Sequence, residues 1–414
     1  FSSMLDPGYV RHVRLSEALP VQVVPHRFGP PPSFTLREWS NRTSLAAGSA
    51  LAVAALARRC KGGHRCKASG NDAPVMVTVN PVEALASPFP LAFFEAAGLP
   101  SSSRFCWWES TRQGRSRPGL RSGLHPLNLD DGWLEESEMP SYAEAMAERR
   151  AILQEQRHLA VVDDGDSRAA QEELLQLVLE HLARRFPERF ELSDDRFSSL
   201  QEGLEWQLKD VEPLDLLASL LQEDVCIMHE RSTPQGGTEH LFVAGVVMES
   251  FDPVAKHMQP MMKLHEPVPG YAADLHDSMG RVFSTLRKPV WRANFAMAEY
   301  RGGDEAEARK EMDMRPEAIV SRLYLKVEYE TLRRLPQNSQ YLVFTIRPYM
   351  DPLPAWSRTP LACRALASEI RRLPEGVLDY KGLGEPQVCS ATLAFFDAVC
   401  AASGVDVEEA MPAS

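Results

Sequence analysis

The stretch of this sequence best suited to chemistry is His265-Glu266-Pro267-Val268-Pro269-Gly270. Two prolines fix the backbone just after His265, so its imidazole is expected on a stiff, non-helical segment. A rigidly held, neutral imidazole is what an iron or zinc centre requires of a ligand. Upstream, Met258, Met261, Met262 and Leu264 are expected to line an apolar pocket. The competing reading gives His265 only a hydrogen bond within a loop, and spacing alone does not decide between the two.

A second cluster is cationic and aromatic: Trp291, Arg292, Asn294 and Phe295, following Pro289. The planar guanidinium of Arg292 suits bidentate contact with a carboxylate or propionate. The plain alternative is a surface arginine beside a core tryptophan. Arg333, Arg334 and Arg347 are further cationic positions, and an arginine on a strand often sits on the solvent face. The sequence has no phosphate-cradling glycine loop, no G-x-G-x-x-G, no H-E-x-x-H, no G-x-S-x-G and no C-x-x-C. Cys106, Cys226, Cys363, Cys389 and Cys400 lie mostly in apolar surroundings, where a free thiol behaves as a small hydrophobe. Cys60, His64 and Cys66 have some metal-ligand character, but structural zinc sites need more ligands at tighter spacing.

The elements that must position these residues belong to a chain of 414 residues with net charge −12. That length suits one large domain or two smaller ones, and the charge argues against a nucleic-acid binder taken as a whole. Charge is unevenly placed. Residues 1–71 hold ten Lys/Arg against three acids, a net +7, so the remaining 343 residues carry −19. Few acids with many Arg, Ser and Ala is the composition of an organelle transit peptide, so a plastid or mitochondrial address is expected there. The rival is an ordinary basic extension. The chain opens Phe1-Ser2-Ser3-Met4, so either Met4 is the first residue made or the sequence begins inside a longer one. Residues 72–104, rich in Pro, Ala and Ser, read as a connector; a folded domain is expected over 105–402 and a tail over 403–414.

Within that domain, Ser141 and Glu144 form a capping box that opens a helix. A second helix follows Asp163-Asp164-Gly165-Asp166 and ends at Pro187. Val225–Met228 and His240–Met248 flank Gln235-Gly236-Gly237, a hairpin signal. Leu323 to Glu330 alternates apolar and polar residues, the pattern of a strand with one buried face. Tyr341–Tyr349 is a further strand, expected as its antiparallel neighbour. Helices are expected after Thr359-Pro360, with Leu366, Ile370 and Leu373 as its apolar stripe, and over Pro386–Ala402. Helices, then an antiparallel sheet, then helices is an α+β order.

Several words of the sequence resemble the haem-dependent oxidative N-demethylase family. They are Glu328-Tyr329-Glu330-Thr331-Leu332-Arg333-Arg334-Leu335-Pro336 and Phe344-Thr345-Ile346-Arg347-Pro348-Tyr349. Gly123–Leu127, Leu221–Cys226, His265–Gly270, Val290–Asn294 and Tyr380-Lys381-Gly382 echo it in the same order. The resemblance implies a PAS-like fold, a five-stranded antiparallel sheet flanked by helices, holding one haem b. It implies oxidative removal of a methyl group from a small N-methylated amine with O2. Electrons would come from NADPH through a separate flavin and iron–sulfur reductase, since this chain has no cysteine set for a cluster. On the resemblance, His265 matches the axial iron ligand, and Arg292 and Asn294 match a word placed to bind a propionate or shape the pocket. Arg333, Arg334 and Tyr380 match positions without an assigned role. The sequence departs at His257 and Phe295, where Trp is expected, and at Lys326, where Arg is. Two rivals share the fold: a non-catalytic haem sensor or carrier, and a haem-free PAS-like interaction module.

Overall fold

The central hairpin is the most local feature of the fold. Strand β6 (Asp224–Ser232) turns back into β7 (Thr238–Val246), closed by Thr233 N–H donating to Gly237 O (2.9 Å). Cys226 lies opposite Gly245, where a Cβ would stand 2.3 Å from Val225 O; only glycine allows that approach. The computed structural model describes residues 123–134, 141–299 and 313–405, with Phe89 and Pro100. The expected targeting segment, the Cys60–Cys66 group, Cys106 and most of the connector lie outside them.

The other strands are β1 (His125–Pro126), β2 (Val161–Asp163), β3 (Phe190–Leu192), β4 (Arg196–Ser199), β5 (Leu204–Gln207), β8 (Val290–Glu299), β9 (Leu323–Arg334) and β10 (Tyr341–Pro352). One sheet has seven strands in the order β1-β8-β9-β10-β6-β7-β2, and β3-β4-β5 form a small second sheet. The resemblance implies five strands and the sheet has seven: five long ones at the centre, with β1 and β2 as short additions at the edges. β9 and β10 are neighbours, as expected, and β10 runs antiparallel to β6. Pro126 sits in edge strand β1, where a missing N–H does least harm.

Two compact units divide the chain, the first covering 113–296 with 326–349 and the second 297–325 with 350–414 among the described parts. In the first, helices α1 (Ser141–Ala160), α2 (Arg168–Arg185) and α3 (Pro213–Leu220) bury Met146, Leu174, Val178 and Leu217 with Val225, Ile227, Val243 and Val343 of the sheet. α4 (His276–Thr285) belongs to the same unit. The second unit holds α5 (Pro316–Arg322), α6 (Pro360–Ile370), α7 (Glu375–Tyr380) and α8 (Pro386–Ala402), with α8 packed on α5 and α6. The fold is α+β, mixed helix and antiparallel sheet. No helix among the described residues is long and apolar enough to cross a membrane.

Two expectations need correction. β9 is buried on both faces, and Lys326, Glu328 and Glu330 in its polar phase are paired inside the protein rather than facing water. α6 ends at Ile370, so Leu373 falls beyond its stripe.

The entry to β6 is fixed by Asp224, fully buried, whose carboxylate accepts from Met248 N (2.8 Å), Glu249 N (3.1 Å) and Ser250 N (2.8 Å). Arg149 of α1 pairs with it at 3.4 Å and donates to Glu223 O at 3.1 Å. Removing one partner leaves a buried charge and several donors unmet. Asp224→Ala is expected to cost about 3–5 kcal/mol in urea unfolding, whereas Asp194→Ala at an exposed turn stays within about 0.5 kcal/mol.

Candidate functional site

His265 follows a single helical turn, Met261–Leu264, and begins the Pro-Val-Pro turn that the sequence anticipates. Its side chain is buried, and its Nδ1 lies 2.8 Å from Met261 O. A carbonyl only accepts, so Nδ1 carries the proton and Nε2 presents the lone pair. Nε2 has no hydrogen-bond partner among the described residues. The Tyr271 ring stacks on the imidazole, with centroids 4.4 Å apart and planes 9° from parallel. Burial pushes the His265 pKa down to about 3, and the charges of Lys256 and Arg292 act in the same sense. The imidazole is therefore neutral, oriented and restricted to one tautomer. Tyr271 Oη is buried without a partner among the described residues, and burial raises its phenol.

Of the expected pocket-lining residues, Met261 and Leu264 are buried, but Met258 and Met262 are exposed. Helical spacing explains the split: 261 and 264 share a face and 262 does not. Met258 has φ +59°, a left-handed conformation uncommon outside glycine. It is held there by its N–H, which donates to Phe242 O at 2.8 Å. His257 donates from Nε2 to Val243 O (2.9 Å), the kind of bond an indole N–H at this position would also make.

Arg292 and Asn294 alternate on β8, and Lys326, Glu328 and Glu330 alternate on β9. Arg292 Nε pairs with Glu330 Oε2 at 3.4 Å. Asn294 Nδ2 donates to Glu328 Oε2 (3.2 Å), and Lys326 Nζ meets Glu328 Oε1 (3.2 Å). Both glutamates, Arg292 and Asn294 are buried, so the plain reading of Arg292 as a surface arginine fails. Arg292 Nη1 is buried with no hydrogen-bond partner among the described residues. His265 and Arg292 are thus brought within electrostatic reach of each other.

The family model of the haem-dependent oxidative N-demethylase, alpha subunit-like, matches residues 128–387. The chain belongs to this family. The match contains His265, Arg292, Asn294 and the β9 and β10 words, while Gly123–Leu127 lies just outside it. An oxidative N-demethylase alpha subunit depends on haem, acts on a methylated substrate and works beside a partner subunit. The residues present fit a haem. One neutral imidazole with a free lone pair is a ligand set that a macrocycle-held iron takes. The spare buried N–H of Arg292 suits an anionic substituent.

Sequence reasoning missed Glu328, Glu330 and Tyr271. The two glutamates occupy the polar phase of an alternating strand, which looks identical whether its charges face water or each other. Tyr271 carried no signal at all. Tyr380 is buried in the second unit. There Met297 N–H donates to Lys381 O (2.8 Å), and a Cβ on Gly382 would stand 2.2 Å from Met297 O. That word is explained by a close backbone approach. Arg334 donates to Leu286 O, Phe283 O, Ser339 O and Glu230, which makes it a strap between loops. Arg347 is buried with its guanidinium over Tyr349.

His265 takes up a proton more readily unfolded, at its ordinary 6.5, than folded, at about 3. Stability is therefore full above about pH 6.5 and falls as pH drops toward 3, by up to about 1.4 kcal/mol per pH unit for this group. Urea unfolding at pH 7 and pH 5 is expected to show that loss in the wild type and a smaller one in His265→Gln.

Proposed function

We propose that this chain is the haem b-bearing subunit of a monooxygenase that demethylates a small N-methylated amine, with Nε2 of His265 as the atom that would hold its iron. The observation that carries the reading is the Met261 carbonyl on Nδ1, which leaves the opposite nitrogen of a buried imidazole aprotic. When bound, the haem would supply the oxygen chemistry, drawing electrons from a separate NADPH-dependent flavin and iron–sulfur reductase. The protein's part is positioning and electrostatics.

His265 does three things in this reading. Its depressed pKa keeps the proton off Nε2 across the physiological range. Its bond to Met261 O prevents ring rotation and makes the ligand more electron-rich. Its stack on Tyr271 excludes water from one face. Arg292 would offer Nη1 to an anionic substituent of the haem, while Glu330 fixes its Nε side. Asn294 orients Glu328, which Lys326 also engages. Lys326 supplies one point charge where the family pattern has a two-pronged guanidinium, so Glu328 is held less tightly. The PAS-like character of the fold is part of the same proposal, supported by the five long central strands.

Arg292→Met is expected to weaken haem retention about 10–100-fold, the loss of one charge-assisted hydrogen bond, as measured by haem transfer to apomyoglobin. The activity test incubates the haem-loaded chain with dimethylamine, O2, NADPH and a reductase of this class. Formaldehyde release that needs all four supports an enzyme. A stable haem complex that releases none under any reductase points instead to a carrier or sensor, and overturns the catalytic reading.

A further inference from the structure

Arg333 stands beside Arg334 in the same family word, yet the two are placed in opposite ways. Arg334 is saturated with hydrogen bonds. Arg333 is buried, its Nε has no hydrogen-bond partner among the described residues, and no ion pair to it occurs there. Its guanidinium carbon lies 4.3 Å from the centroid of Trp133. Burial pulls its pKa down; the Glu173 charge opposes this. But the Glu173 oxygens already accept from Gln337 N (2.6 Å), Asn338 N (2.8 Å) and Asn338 Nδ2 (2.8 Å), bonds that hold the β9–β10 connection.

Two more buried side chains share the same surroundings. Trp133 packs edge-on against His181 of α2, with ring centroids 5.2 Å apart. Trp133 Nε1 and both ring nitrogens of His181 are buried and unpartnered among the described residues. Burial first, then the charges of Arg185, Arg184 and Arg333, pushes the His181 pKa down to about 3. The field here is positive. Buried donors left unmet cost of order 1–3 kcal/mol each, so three such groups at one place favour a bound partner. Two are pure donors, the Trp133 and Arg333 N–H groups, and neither can bond the other.

We infer that Trp133, His181 and Arg333 form a second buried site, sharing no residue with the one proposed for haem, that binds a small carboxylate anion. A carboxylate has two acceptor oxygens for the two N–H donors and one negative charge for the guanidinium, with the neutral imidazole as a further donor. The close approach of both Arg333 and His181 to one indole limits the ligand to a few atoms, of the size of formate or acetate. Buried water would meet the donors but not the charge.

The test is thermal unfolding of the full chain at fixed ionic strength, with sodium chloride replaced stepwise by sodium formate or sodium acetate. The wild-type midpoint is expected to rise by several degrees with the logarithm of carboxylate concentration. Arg333→Met, which keeps the aliphatic stem, is expected to lose the response while retaining haem. Trp133→Phe is expected to raise the apparent dissociation constant about tenfold; it carries the test if Arg333→Met fails to fold. Three outcomes overturn the proposal: no wild-type response, an equal response in wild type and Trp133→Phe, or chloride stabilising as well as formate. Because haem retention is measured separately, failure here leaves the reading of His265 untouched.

Discussion

One hydrogen bond organises the proposed site: the Met261 carbonyl accepting from His265 Nδ1. It spans four residues, so the local turn that precedes His265 also sets its tautomer. That turn is held by Leu264 N–H donating to Pro260 O and His265 N–H donating to Met261 O. The prolines after it keep the chain from continuing as helix, and the imidazole is left at a helix end rather than along a helix face. Lys256 ties the same turn back by donating to Leu264 O at 3.1 Å. Rotating the ring would break the Nδ1 bond in a place where no water can replace it.

The sheet supplies the electrostatic setting. Arg292 of β8 pairs with Glu330 of β9 and Asn294 of β8 donates to Glu328, whereas Lys326 and Glu328 pair within β9 itself. Such pairs contribute little net stability, since desolvation offsets the attraction, but they penalise any register that separates them. A one-residue slip of β8 against β9 would turn Arg292 and Asn294 to the face opposite their partners Glu330 and Glu328. The charges therefore specify alignment, and that alignment holds the spare N–H of Arg292 in place. Asp224 does the corresponding work at the start of β6, where one carboxylate gathers three backbone donors and an arginine.

Much of the scaffold could be read from the residues themselves. The helix from Ser141, the helix from Arg168 to Arg185, the 224–246 hairpin, β9, β10 and the helix over Pro386–Ala402 all follow from turn and period signals, although Ser141 is the first residue of its helix rather than a cap before it. The small β3–β5 sheet, α3 and the strand character of Val290–Glu299 went unread. In β8, Arg292 and Asn294 interrupt the apolar pattern because the strand is buried around paired polar groups, which periodicity treats as exposure. His265 was legible as a candidate through its prolines. Its tautomer was not, since that depends on a carbonyl four residues back and on the Tyr271 ring, which only the folded chain reveals. Trp133, His181 and Arg333 come from three distant segments and had no common signal.

The account rests on Nε2 of His265 meeting iron, and an absorption spectrum tests that directly. The chain is produced with added haem precursor as wild type and as His265→Ala, each recorded with and without imidazole. A Soret band in the wild type that is lost or shifted in the variant, and restored by imidazole, is the predicted result. A band indifferent to the substitution, or none after haem reconstitution, would contradict it.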